Sequence, residues 1–211
     1  MTFSRQTLLA SLLGASLLGA CASTSGMRGL DADFASTVQG PVKVEVMLSE
    51  SLQQRAEGLP DDLTLRSGTR SVSAGFAANG YYGTEELQEL LDDTREELVA
   101  DLTKYGVGHS DSAPTVLRVT LEDVRNNRPT FNQLARQPNL DFDSYSAGGA
   151  ELSAELVDGM GVTLGTLEYR WYDSLQGNDL DQATSVWRDT QRAISRFSKA
   201  SAKAIRDSRR S

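Results

Sequence analysis

One cysteine and one histidine occur among the 211 residues of this chain. A single thiol excludes a disulfide scaffold and the cysteine-based zinc sites, which need several. A single imidazole, His109, limits histidine chemistry to one position. Positive charge is also short: 21 Lys and Arg stand against 29 Asp and Glu, a formal charge of −8. Nucleic acid and anionic membrane surfaces repel such a chain. The sequence holds no G-x-S-x-G elbow, no G-x-x-x-x-G-K-[ST] and no G-x-G-x-x-G, so neither a nucleophile elbow nor a nucleotide loop is indicated. It also lacks an apolar run long enough to span a bilayer of about 30 Å. The one greasy stretch, Leu8 to Leu18, is about a dozen residues long and broken by small residues.

That stretch has a charged head, Met1 to Gln6 with Arg5, and a small-residue end, so residues 1–20 read as a secretion signal. It runs into Leu18-Gly19-Ala20-Cys21. These four residues resemble the lipobox of bacterial lipoproteins. The resemblance implies lipidation of Cys21 by a diacylglycerol thioether, with Leu18, Gly19 and Ala20 as the signal-peptidase recognition site. It also implies cleavage between Ala20 and Cys21 and acylation of the new amino group. Two or three acyl chains hold a protein on a membrane where one does not. Ala22 follows the cysteine where an Asp would signal retention, so the resemblance points to the outer membrane, periplasmic face. Two other readings stay open: an ordinary signal peptide cut near Ala20 or Ala22, and an uncut leader. Loss of residues 1–20 removes Arg5 and makes the remaining chain one unit more negative than the whole.

Residues 21–37 are small and polar and read as a flexible tether, and 38–207 as a single domain with a frayed tail at 208–211. Pro41 to Leu48 alternates Val42, Val44, Val46 and Leu48 against Lys43, Glu45 and Met47, a half-buried strand. Residues 63–76 suggest a short hairpin. Thr84, Glu85 and Glu86 open a helix with Leu87, Leu90, Leu91, Thr94, Leu98 and Leu102 on one face, and Gly106 suits its C-terminal turn. Thr115 to Val124 alternates again. Gly149 to Asp173 reads as a hairpin turning at Asp158, Gly159 and Gly161. A last helix begins near Asp179 with the stripe Ala183, Val186, Trp187, Thr190, Ile194, Phe197, Ser201 and Ile205. The order β-α-β-β-β-α predicts an α+β fold, a largely antiparallel four-stranded sheet with two amphipathic helices packed on one face.

The strings ELQELLDDTREELVADL, LRVTLEDVRNNRP and GAELSAELVDGMG, with the helix led by Trp187, resemble a group of small proteobacterial lipoproteins of unknown function. The architecture is also similar to periplasmic modules such as the curli secretion lipoprotein and the lipoprotein activators of peptidoglycan synthases. Shared fold is only a prior on function.

Candidate chemistry is sparse. His109, Ser110 and Asp111 are neighbours in one loop, and a catalytic triad needs groups that converge from apart. Asp141 and Asp143 begin like a calcium loop, but Tyr145, Ser146 and Leu152 then occupy positions needing other residues. Tyr81 and Tyr82 offer a partner surface or packing at a sheet edge, with packing favoured. The basic end of the last helix reads as dipole complementation, with contact to lipid headgroups as the other reading. The expected function is therefore a non-enzymatic interaction module, held to the membrane by its lipid and joined to an envelope protein, with no cofactor, metal or nucleic acid. One alternative is a carrier of a small apolar ligand between the sheet and the 126–146 connection. Another is a hydrolase in which two of Asp61, Asp62, Asp141 and Asp143 converge.

Overall fold

A computed structural model describes residues 29–58, 76–77, 79–173 and 185–210. Within them, five strands form one sheet: β1 (Leu30–Phe34), β2 (Val42–Leu48), β3 (Thr115–Arg125), β4 (Gly149–Val157) and β5 (Thr163–Tyr172), in the order β1-β5-β4-β3-β2. The helices are α1 (Glu50–Ala56), α2 (Thr84–Lys104), α3 (Phe131–Arg136) and α4 (Arg188–Ser208). The α+β class and the four expected strands stand; the strand count and the sheet type are corrected.

The fifth strand comes from the expected tether. Leu30 to Phe34 pairs antiparallel with β5, placing Leu30 opposite Tyr169 and Phe34 opposite Gly165. Only Leu30, Ala32 and Phe34 alternate there, a signal too short to stand out from a polar segment. The sheet is mixed because β2 and β3 run parallel. Parallel neighbours need a long crossover, here the segment holding α1 and α2. β3–β4, β4–β5 and β5–β1 are antiparallel.

α1 follows β2 at once, its Ser49 cap accepting from the Leu52 amide at 3.3 Å. α2 begins after Gly83, whose φ of 93° suits glycine, and buries Leu87, Leu90, Thr94, Leu98 and Leu102. Gly106, at φ 77°, closes it as expected. α4 buries Thr190, Ile194, Phe197, Ser201 and Ile205 on the expected stripe, although its first helical residue is Arg188 rather than a residue near Asp179. The expected start and Ala183 lie outside the described residues, as does all of the expected 63–76 hairpin but Phe76.

α2 lies against β2, and α4 lies against α2 and across β4 and β5. Between helices and sheet sits the core: Val42, Val44, Leu117, Val119, Leu121, Leu152, Leu156 and Leu167 from the strands meet Leu87, Leu98, Ile194 and Phe197 from the helices. Tyr169 and Phe197 pack with ring centroids 6.0 Å apart.

The two ends of the sheet differ. At the distal end the chain passes from the β1 edge to the β2 edge through residues 35–41. Arg209 locks this crossing. Its guanidinium donates to the carbonyls of Val38 at 2.9 Å, Val107 at 3.2 Å and Gly106 at 3.4 Å, and also to Gly40. Burial lowers its pKa from the ordinary arginine value. The expected frayed tail therefore holds a structural clamp. At the proximal end, where residue 29 enters, the chain between β3 and β4 forms a polar cap. The turn between β4 and β5 closes the distal end, with Asp158 accepting from the amides of Met160 and Val162 at 2.8 and 2.9 Å.

Candidate functional site

The helices cover one face of the sheet. On the other face the alternate residues of every strand point outward, so the sequence alternation that builds the core also builds this surface. In register across it run Glu45, Arg118, Glu155, Thr166 and Asp33, and next to them Met47, Thr120, Ser153, Glu168 and Asp31. Arg118, Thr166, Glu168, Arg170, Asp31 and Asp33 are exposed. Glu45 accepts from Lys43 at 2.7 Å and from Arg118 at 3.4 Å. The Lys43 hydrogen bond, helped by Arg118, holds its carboxyl below the usual glutamate value. Arg170 binds Glu151 through Nε at 2.8 Å and Nη2 at 2.5 Å. Both donors meet the same oxygen, Oε2, and this hydrogen bonding is the main cause that raises the Arg170 pKa.

A β-bulge gives this face its densest polar cluster. The register shifts between Leu121 and Asp123, so Glu122 has no partner on β4 and Asp123 comes opposite Glu151. Asp123 Oδ1 then accepts from Arg55 Nη1 of α1 at 2.5 Å. Its Oδ2 accepts from the Tyr172 hydroxyl at 2.6 Å and from Arg125 Nε at 3.2 Å. The Arg125 guanidinium also lies 4.1 Å from the Tyr172 ring centroid. Ser153 donates to Glu122 Oε1 at 2.6 Å. Burial, and then the charge of Asp123, push the Tyr172 phenol far above its ordinary pKa, so it stays a neutral donor. Both oxygens of Asp123 face protein donors, whereas a general base needs one aimed at a substrate. The cluster ties α1 to the sheet and fixes the rim of the open face.

Tyr82 is not a partner surface. Its side chain is fully buried, its hydroxyl donates to the Ala77 carbonyl, and its ring meets Trp187 edge-on at 5.6 Å. Trp187 in turn donates from Nε1 to Glu86 at 2.8 Å. Burial raises the Glu86 pKa against the opposing effect of that bond. Tyr81 is half-buried with a φ of 61°, its amide donates to the Arg55 carbonyl at 2.7 Å, and Arg136 lies 5.4 Å from its ring. A Cβ on Gly58 would fall 1.9 Å from that ring, so glycine is needed there. Two adjacent tyrosines give no sequence sign of which one turns inward.

His109 bridges to Val42 in the backbone ladder, and its Nε2 lies 3.5 Å from Asp111. Ser110 bonds Ser112 at 3.0 Å instead of the imidazole, so no triad forms. Asp141 accepts from the Asp143 amide and the Ser144 hydroxyl at 3.0 and 3.1 Å, a self-contained turn. Among the described residues no group of three or more His, Cys, Asp or Glu is placed to hold a metal ion. Cys21, Leu18, Gly19 and Ala20, like Asp61 and Asp62, lie outside the described residues.

Polar packing fills the space beneath the 126–146 connection. Asn126 donates to Gln133 Oε1 at 2.5 Å, and Thr130 and Gln133 form a reciprocal capping box on α3. Asn127 donates to Asp189 Oδ2 at 2.5 Å and accepts from the Asp189 amide at 2.9 Å. Asn126, Asn127, Thr130, Gln133 and Ser146 are all buried. A shallow groove between α2 and α4 is lined by Asp93, Glu96, Glu97, Ala100, Gln191 and Ile194, a mostly acidic surface. No described helix is long and apolar enough to cross a membrane.

No protein-family model matches the sequence, and no curated protein matches it. Two solved structures of the PelC dodecamer from Paraburkholderia phytofirmans are similar in shape. The first is 13% identical, covers 80% of this chain and 97% of PelC, and has a TM-score of 0.35. The second is 12% identical, covers 81% and 94%, and has a TM-score of 0.36. A minor lipoprotein from Acinetobacter baumannii is 19% identical over 56% of this chain and 86% of its own, with a TM-score of 0.34. Likenesses at these scores assign no function to this chain.

Proposed function

We propose that this chain is a lipoprotein of the bacterial envelope, lipid-anchored at Cys21 on the periplasmic face of the outer membrane. Its domain works as a non-enzymatic interaction module. The observation that carries the reading is Leu18-Gly19-Ala20-Cys21 directly behind a short apolar leader, in a chain with no second cysteine. The start of β1 at Leu30 supports it, because little chain then separates the anchor from the folded domain. The open sheet face is the surface that meets an envelope protein partner. It is broad, lies opposite α2 and α4 and is rich in charge of both signs, and its Glu45–Arg118 and Glu151–Arg170 pairs are too exposed to be needed for folding.

The polar packing beneath the 126–146 connection favours this reading over an apolar-ligand carrier, which needs an apolar pocket there. The carboxylates Asp123, Asp141 and Glu151 are engaged by neighbouring donors, which favours it over a hydrolase. Metabolic labelling with a fatty acid analogue tests the anchor. The wild-type chain takes up the label and is shortened by its leader. Cys21→Ser stays unlabelled and uncut; labelling and cleavage of that variant at the wild-type level would overturn the reading.

A further inference from the structure

Five large apolar side chains are exposed in the described structure, and two of them form a pair. Phe131, 76% exposed, and Phe142, 68% exposed, meet edge-on with centroids 6.0 Å apart. Both project from the cap between β3 and β4. That cap is not loosely held. The Thr130–Gln133 box fixes α3, which carries Phe131, and Arg128 Nη1 donates to the Asp143 carbonyl at 2.7 Å beside Phe142. The Asn127–Asp189 pair fastens the whole segment to the first turn of α4. A rigid cap that holds two aromatic rings in water gains no folding energy from them.

Topology decides what they face. β1 begins, β3 ends, β4 begins and β5 ends at the proximal end of the sheet. The Phe pair and residue 29 therefore share one end of the domain. Eight peptide steps join Cys21 to Gly29, a reach of at most roughly 26–29 Å. The five-stranded sheet is about 19 Å wide at about 4.8 Å per strand. An anchored domain on such a link keeps this end within about 30 Å of the bilayer, whichever edge leads. Arg206 in α4's last turn and Arg209 just after it are at the distal end, about 30 Å away along a 21-residue helix. Docking through the proximal end would hold them away from the lipid.

Resting on the anchoring reading above, we propose that Phe131 and Phe142 insert into the lipid surface that holds Cys21, so that the domain docks in a fixed orientation with its open sheet face standing off the membrane. Charge around the pair balances, Arg128 and Arg136 against Asp141 and Asp143. Insertion therefore depends on the rings rather than on anionic lipid, and it resists salt.

The test uses the full lipidated chain in phosphatidylethanolamine-rich vesicles containing a nitroxide-labelled lipid. A thiol-reactive dye is placed at Asn139→Cys, an exposed position in the cap, or at Met160→Cys, 86% exposed at the distal turn. Quenching at position 139 is expected to exceed that at 160 severalfold, to persist in high salt, and to fall to the distal level when Phe131→Ser and Phe142→Ser are added. Equal quenching at the two sites overturns docking. So does dye at 139 that reports a second copy of the chain before vesicles are added. The wild-type chain keeps the underlying reading separate: with Cys21 acylated it takes up no dye, and dye uptake there means that anchoring itself has failed.

Discussion

On the helix-covered face of the sheet, Leu117, Leu121, Leu152, Leu156 and Leu167 are at most 1% exposed. On the opposite face Arg118, Thr166, Glu168 and Arg170 stand in solvent. Both sets come from the same strands, one residue apart. The covered set supplies the apolar burial that offsets chain entropy. The open set contributes little, since exposed ion pairs are worth about 0–1 kcal/mol. Selection for folding therefore constrains one face and leaves the other free for binding. The bulge at Glu122 is the intermediate case, a charged cluster on the open side with Arg55 and Asp123 largely withdrawn from water.

Substitutions sharpen this contrast in order of effect. Phe197→Ala, in the centre of the covered face, should cost about 3–5 kcal/mol in denaturant unfolding. A loss below about 1 kcal/mol would mean that the core is not where the packing places it. Asp123→Ala should cost about 3 kcal/mol, because it leaves Arg55 shielded from water without its carboxylate. Arg55→Met with Asp123→Leu should recover part of that loss, which simple loss of packing would not allow. Tyr82→Phe removes one buried hydroxyl donor and should cost about 1 kcal/mol while leaving the circular dichroism spectrum unchanged. Arg118→Ala and Glu168→Ala should each change stability by less than about 0.5 kcal/mol. A larger cost at either would show that the open face is needed for folding.

The smallest effect is a pH dependence. Burial raises the Glu86 pKa in the fold, so the folded state binds its proton more readily than the unfolded chain. The wild type should therefore gain stability relative to Glu86→Gln as pH falls from neutral towards the ordinary glutamate value. A difference that stays constant over that range, measured by paired melts, would contradict the burial of this carboxylate.

The covered face was largely legible in the sequence. The alternation at Val42 to Leu48 and Thr115 to Val124, the leucine stripe of α2 and the Ile194, Phe197, Ile205 stripe of α4 all landed on the core. β1 escaped because its strand is five residues long and carries Asp31 and Asp33. α1 escaped because its seven residues ESLQQRA, about two turns, bury only Leu52, Arg55 and Ala56. The polar cluster was invisible for a different reason. A bulge joins Arg55, Asp123 and Tyr172 from three elements, and only the register of β3 on β4 places it. Arg209 shows the same limit: its four carbonyl partners are more than a hundred positions away in sequence.

The account rests on the open face meeting a partner while the covered face holds the fold. A photoreactive side chain at Glu168, introduced in intact cells with the anchor in place, tests that most directly. The prediction is a reproducible adduct with one envelope protein, lost when Arg118→Glu and Glu155→Arg are added to the folded, anchored chain. An adduct that survives the charge reversal, or one that forms only from a photoreactive group at Met160 on the distal turn, would contradict it.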